Sequence, residues 1–448
     1  MVLYTLISEK ILTLTLDLWP RVNIERDMLV KFHKSTLENG LRVVTEEIEG
    51  FPTLSLGFWF NVGSRDEAQE VAGITHFIEH MLFKGTKNRG ALEIAKEMDR
   101  LGGYANAFTS KEQTCFYAKV LPEDLPRLLD LLTDLLLNPL FGEEDIEREK
   151  QVVLQEIKMV EDSPEELVHE LFSAFLWNSS PLGRPILGTW ETVSRLDRAR
   201  ILAHFERFYG PPNLVVAAVG RVKHEELLEI LEKYGSSFRK AEPPLRQALR
   251  PQSGVKVYRR SLEQVHFVLG VSTPGARDEA RYAALLFNTL LGGNMSSRLF
   301  QEIREKRGLA YAVYSFLSLY EDRGCLGVYA AVEKKNLKET LKIMADEIKA
   351  LMEGEFRPDE LTAALDHLKS AILLSSDSPD HRMSRLARNE LLFSRYIPYE
   401  ESINAIKALT PAQVASLARE IFTPLPALAV LGPVAEDELL FFDELFGD

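Results

Sequence analysis

The sequence predicts an α+β chain of two homologous domains, each a largely antiparallel sheet covered by helices. Three observations carry that expectation. Strand and helix patterns follow one another in an order that stacks helices on an antiparallel sheet. The second half of the chain repeats the first. Between the halves, residues 239–257 ("RKAEPPLRQALRPQSGVKV") are rich in Pro and basic side chains and lack apolar periodicity, as a linker does. At 448 residues the chain is too long for one core and suits two domains of roughly 200 residues each. The expected division is an extension over 1–30, a first domain over 31–238, the linker at 239–257 and a second domain over 258–448.

From residue 32 the pattern is regular. "LRVVTEE" (41–47) and "TLSLGFWFNVG" (53–63) read as strands from their β-branched and aromatic alternation. A helix follows over 74–84, then another through "ALEIAKEMDRLGG", which stops at the pair Gly102 and Gly103. "YANAFTSKEQTCFYAKV" (104–120) reads as a hairpin. Four helical stretches come next, near 122–137, 143–160, 164–176 and 195–208, before the strand "NLVVAAVGRV" and a helix starting near His224.

Composition narrows the function classes. Hydrophobic residues make up 46% of the chain and the net charge is −14, with no Lys/Arg run long enough to track a phosphate backbone, so nucleic acid is not an expected partner. Cys115 and Cys325 lie far apart and outside any CxxC arrangement, so neither a disulfide framework nor a thiolate zinc site is indicated. In the first 27 residues Glu9, Lys10 and Asp17 interrupt the apolar run a signal peptide needs. They read as an extra segment before a candidate start at Met28. With no stretch of about 18 uncharged apolar residues, the expectation is a soluble cytoplasmic protein without a membrane partner.

The internal repeat is the most informative feature. "FGEEDIEREKQVVLQEIKMVEDSP" (141–164) lies without gaps over "FRPDELTAALDHLKSAILLSSDSP" (356–379), an offset of 215. "VVAAVGRV" matches "ALAVLGPV" with Gly220 over Gly432, and "HFIEHMLFKG" falls on "LLFNTLLGG" with Gly85 over Gly293. In that register His76, Glu79 and His80 become Ala284, Phe287 and Asn288, while Glu149 and Glu156 become Ala364 and Ala371. The copy keeps the helices and drops their polar groups. Residues that merely served the fold should be wanted twice, whereas a site needed once per chain can decay in one copy.

On a helix, residues i and i+4 share a face, so the imidazoles of His76 and His80 can reach one ion with Glu79 beside them. A catalytic zinc takes three protein ligands and leaves a fourth position to water. Glu156 is the expected third ligand. Glu149, seven residues earlier on the same helix face, is the expected accessory acid that orients or tunes a ligand. An HxxEH spacing arises by chance in about two such chains per hundred, so the coupled disappearance of the acids and imidazoles from the duplicate weighs more than the motif alone. The remaining histidines, among them His169 and His224, lack such a context and read as surface or satisfied core residues. A metal at this site would activate water, with Glu79 accepting the proton and passing it to a leaving amine, which is peptide hydrolysis.

HxxEH is the reverse of the zincin HExxH order. Through "HFIEHMLFKGT", the Glu 76 residues after the second His, "GGYANAFTSKEQT" and "SSRLFQEIREKRGLAYAVYS", the chain from about residue 30 to its end resembles the pitrilysin family. Among its branches it is most similar to bacterial relatives of the mitochondrial processing peptidase β subunit. The resemblance implies zinc, one ion per chain, held by His76, His80 and Glu156, with Glu79 as general base and Glu149 as accessory acid. It also implies that a peptide adds itself as a strand to the edge "YANAFTS", where Asn106 and Ala107 match backbone-contacting positions and Phe108 a pocket for the residue after the scissile bond. The alternative for Phe108 is a plain core aromatic.

In the second, inactive domain Arg304 and Tyr311 match a pair that reaches the substrate near the zinc, where a guanidinium and a phenol can donate to a developing oxyanion. Without the resemblance these two would read as surface or core. The implied architecture is half a clamshell, closed by a second chain around peptide substrates. One ligand set and one Arg/Tyr pair per chain would make a homodimer self-sufficient. Only "LLGGNMSS" stands where the processing peptidase's α partner has a long glycine-rich loop, so specific presequence recognition is not expected. Two further expectations stay open: a non-catalytic structural subunit of the same fold, and one active member of a heteromeric pair.

Overall fold

The computed structural model describes residues 30–178, 180–235 and 237–447. The extra segment expected over 1–27, and with it Met28, lies outside the described residues. Apolar alternation sets the framework. In β3 (Leu54–Phe60) the residues Leu54, Leu56, Phe58 and Phe60 face one core while Trp59 faces another, and β6 (Leu214–Gly220) divides its side chains in the same way. These two strands form the centre of a six-stranded sheet in the order β1-β2-β6-β3-β5-β4. β1 spans Lys31–Thr36, β2 Arg42–Glu47, β4 Tyr104–Thr109 and β5 Thr114–Val120. Only β2 and β6 pair in parallel; every other neighbour is antiparallel.

The second sheet runs β7-β11-β8-β10-β9, with β7 at Gly254–Arg259, β8 at Val265–Pro274, β9 at Ala310–Leu319, β10 at Arg323–Val332 and β11 at Ala427–Gly432. Its one parallel pair is β7 with β11. Strand for strand this reproduces β2-β6-β3-β5-β4, so the duplication seen in the sequence extends to topology. Gly220 and Gly432, matched in the repeat, both leave their strands at positive φ (+118° and +156°). β1 is the addition. Its sequence KFHKST is polar and little buried, which suits an outer edge.

Each sheet has one face under its own helices. The helices Ile74–Leu82, Leu125–Leu137, Glu143–Asp162 and Arg198–Phe208 pack on the first sheet, and Arg281–Leu291, Leu337–Glu353, Glu360–Ser375 and Pro411–Phe422 on the second. The opposite faces are covered by exchange. Helix Pro164–Leu176 of the first half lays Val168, Phe172 and Leu176 on Val268, Ala429 and Leu431 of the second sheet. Helix Pro379–Phe393 of the second half lays Met383, Leu386, Ala387 and Leu391 on Trp59, Val215 and Ala217 of the first. Both helices follow the repeated Asp-Ser-Pro, in which Ser163 and Ser378 accept from the N–H three residues on and proline takes the first helical position.

The stretch 239–257 is held down. Ala241 and Leu249 are buried, and Arg246 donates to Asp66 at 2.9 Å and to Glu321 at 2.7 Å, joining the halves. The last residues of that stretch already begin β7. Beside it Arg65 bridges Glu112 at 2.5 Å and Asp322 at 2.6 Å. Among the described residues no helix is long and apolar enough to cross a membrane.

Candidate metal centre

Helix Ile74–Leu82 buries Ile74, Phe77, Ile78, Met81 and Leu82 against the first sheet, and this apolar stripe leaves His76, Glu79 and His80 together on the half-buried opposite face. The helix starts under tight constraint. Gly73 sits at φ +93°, and a Cβ there would lie 2.5 Å from the Leu187 carbonyl oxygen. The buried carboxylate of Glu67 accepts from the Gly73 N–H at 2.7 Å and the Thr75 N–H at 2.8 Å, so free donors of the first turn are satisfied. Burial pushes the Glu67 carboxyl up to about 7, against the lowering by those backbone donors.

Helix Glu143–Asp162 packs beside it, burying Ile146, Val153, Leu154 and Ile157 and presenting Glu149 and Glu156. His76 Nε2 stands 3.8 Å from Glu156 Oε2, and His80 Nε2 stands 3.9 Å from Glu156 Oε1. One ligand atom from each of the three residues lies within 4.8 Å of the others, the only such group of three or more His, Cys, Asp or Glu among the described residues. Two atoms each about 2.1 Å from a tetrahedral zinc are about 3.4 Å apart. Side-chain rotations that draw these atoms together by about an ångström or less at each residue would let all three share one ion.

The donor chemistry fits as well. His80 Nδ1–H donates to Glu149 Oε1 at 2.8 Å, which leaves the Nε2 lone pair directed to Glu156; Lys84 Nζ holds the other Glu149 oxygen at 2.6 Å. Burial works against charge on His80, but the Glu149 hydrogen bond and the charges of Glu156, Glu149 and Glu79 outweigh it and hold the imidazole above its usual value. Such surroundings favour a cation. Burial, then the neighbouring His80, push His76 down to about 3, keeping it neutral with a lone pair to give. Glu149 is held low despite its burial, by the hydrogen bonds from His80 and Lys84. Glu79 Oε2 accepts from the Thr109 hydroxyl at 2.6 Å; burial pushes its carboxyl up and Thr109 opposes that. A carboxylate shifted towards neutrality is better matched to moving a proton at neutral pH.

The other expected residues are distributed as follows. Asn106 and Ala107 lie on β4, the free edge of the first sheet. Phe108 points to the face of β4 opposite Thr109 and Glu79, where its ring meets Trp59 at 5.4 Å and Tyr117 at 6.2 Å. Those are the contacts of a core aromatic, because strand alternation sends 107 and 109 towards the metal helix and 108 away from it. In the second half the guanidinium of Arg304 lies 4.9 Å from the Tyr311 ring and 4.8 Å from that of Phe300, and Tyr311 is 83% exposed. Among the described residues neither is bonded to the His76, Glu79, His80 and Glu156 group. Sequence reasoning missed Thr109, Lys84 and Glu67. Lys84, four residues after His80, could have been found from helix spacing; Glu67 precedes the helix and leaves no periodic signal.

Residues 42–190 match the model of the insulinase family, peptidase family M16, and residues 195–368 that of the M16 inactive domain. An uncharacterized zinc protease of Streptomyces coelicolor is 40% identical over 414 residues, covering 90% of each chain. One from Bacillus subtilis is 37% identical over 398 residues, 89% of this chain and 97% of the relative. The crystal structure of a protease from Helicobacter pylori superposes with a TM-score of 0.84 at 23% identity, over 90% of this chain and 99% of that one.

Proposed function

We propose, for a chain that belongs to peptidase family M16, that it is a zinc-dependent endopeptidase acting on short or unfolded polypeptides. The observation that carries this is the convergence of His76, His80 and Glu156, from two helices, within 4.8 Å of one another beside Glu79. When bound there, zinc supplies Lewis acidity, lowering the pKa of a coordinated water towards about 7 and polarising a carbonyl.

The chain's own groups do the rest. Glu149 and Lys84 fix the His80 ring so that its free nitrogen serves as a ligand. Glu79, held by Thr109, accepts the proton of the attacking water and delivers it to the departing amine. The open edge of β4 takes an extended peptide as an added strand, reading backbone rather than side chains, with Asn106 and Ala107 at the contact. Arg304 and Tyr311, already side by side, donate to the scissile carbonyl as it gains charge. Two copies of the chain close a chamber around the peptide, each with one zinc, and the protein works in the cytoplasm.

The test is direct. One purified chain should contain zinc in a one-to-one ratio by elemental analysis, lose it in His80→Ala, and cleave a quenched casein-type peptide until a chelator is added. Cleavage that begins only when another protein is supplied would replace the homodimer by a heteromer, and absence of bound zinc would overturn the assignment.

A further inference from the structure

The edge strand β4 carries its own plug. The Ser110 N–H donates to the Gln113 carbonyl at 2.7 Å across the β4–β5 turn, so that pair is hydrogen-bonded within the hairpin. Antiparallel pairing alternates, with Phe108 paired to Cys115 and Ala107 to Phe116. Ala105, Ala107 and Thr109 therefore turn their backbone groups away from β5, to the open edge. An outward N–H on such an edge is a template for any passing strand.

That of Ala107 is already taken. It donates to Asn106 Oδ1 at 2.9 Å, and Asn106 Nδ2 in turn donates to the Tyr104 hydroxyl at 2.7 Å. The Ala107 N–H needs an acceptor, so the carboxamide turns its oxygen to the strand and its nitrogen to the tyrosine. The Tyr104 ring is 59% exposed and lies 6.1 Å from that of Tyr117 on β5. Its hydroxyl is shared between that amide and the Tyr117 side chain, which ties the carboxamide to the hairpin. The Asn106 oxygen then stands where the carbonyl of an added strand would.

We propose that the Asn106 carboxamide is a stand-in for substrate backbone, which occupies the Ala107 N–H in the free protein and has to rotate away before a peptide strand can pair there. This rests on the reading that peptides dock on β4. The plug lets extended peptides through, since several new backbone bonds outweigh one lost side-chain bond. It disfavours turned or folded segments, which cannot offer several backbone bonds at once, and it blocks edge-to-edge pairing between copies of the chain.

Both side chains are exposed, so replacing them leaves the core intact. In a Glu79→Gln background, which holds peptide without cutting it, fluorescence anisotropy with a fluorescein-labelled casein fragment measures docking alone. Asn106→Ala should bind the fragment about fivefold tighter, the equilibrium equivalent of one intramolecular hydrogen bond released from competition. Tyr104→Phe, which frees the carboxamide to turn, should tighten binding by less. Unchanged or weaker binding by Asn106→Ala, with the parent binding normally, overturns the plug and leaves the peptidase reading standing. Absence of binding by the parent, with no cleavage by the unsubstituted chain, overturns that reading and the plug with it.

Discussion

Helix Ile74–Leu82 and its repeat Arg281–Leu291 pack on matching faces of sheets with the same strand order, yet they solve different problems. The second half puts Ala284 and Phe287 where the first has His76 and Glu79, and both are buried apolar side chains that add to the core. Fully burying a phenylalanine there contributes about 2–3 kcal/mol. The first half forgoes that and keeps half-buried polar groups that cost free energy unless partnered. It partners them: His80 with Glu149, Glu149 with Lys84, Glu79 with Thr109. In the second half, Asn288 at the His80 position has a buried side-chain oxygen with no partner among the described residues. The difference teaches that the architecture stands without the polar set, which the fold by itself does not call for.

Exchanging residues between the halves tests that contrast, and the largest effect belongs to the ligands. His80→Asn, the second half's own solution, should abolish stoichiometric zinc and reduce peptide cleavage to background, measured by elemental analysis and a quenched-peptide assay; retained zinc would break the contrast. Glu79→Gln should keep the metal and lower kcat by about 10²- to 10⁴-fold, separating proton transfer from coordination. Glu149→Ala, again the second half's residue at that position, should weaken zinc about 10- to 100-fold in a chelator competition, with the fold unchanged by circular dichroism.

The smallest effect concerns how the two helices begin. The repeat helix is preceded by an exposed turn in which the Ala280 N–H donates to Asp278, whereas the metal helix rests on buried Glu67. Folding raises the Glu67 carboxyl from 4.5 to about 7, so the folded chain holds the proton more tightly than the unfolded one. The resulting stability is fully present below the unfolded value and is lost as pH rises through about 7. Glu67→Gln cannot titrate. Relative to it, the unsubstituted chain should lose about 3 kcal/mol of unfolding free energy from one side of that window to the other, read by denaturant titration of the metal-free proteins. A difference independent of pH would mean that Glu67 does not titrate in this range.

The sheets, the helices and the convergence of His76, His80 and Glu156 were legible because each rests on a local period or on the repeat. Alternation marked β3 and β6, the i, i+4 spacing paired His76 with His80, and the gap-free overlay pointed to Glu149 and Glu156 through Ala364 and Ala371. What was not legible depends on partners distant in sequence. β1 was passed over because its polar alternation buries little. The stretch around Arg246 reads as a linker although Asp66 and Glu321, 180 residues before it and 75 after, hold it in place. Phe108 was open between pocket and core because period-two alternation gives opposite faces to neighbours without saying which face meets the metal helix.

The exchanged helices make each half depend on the other. Removing residues after the linker would strip Met383, Leu386, Ala387 and Leu391 from the outer side of the first sheet and lay bare Trp59, Val215 and Ala217, a contiguous greasy surface on the scaffold that carries His76, His80 and Glu156. The converse holds for the second sheet without Phe172 and Leu176. Each copy is the other's roof, so neither can be deleted without uncovering its partner.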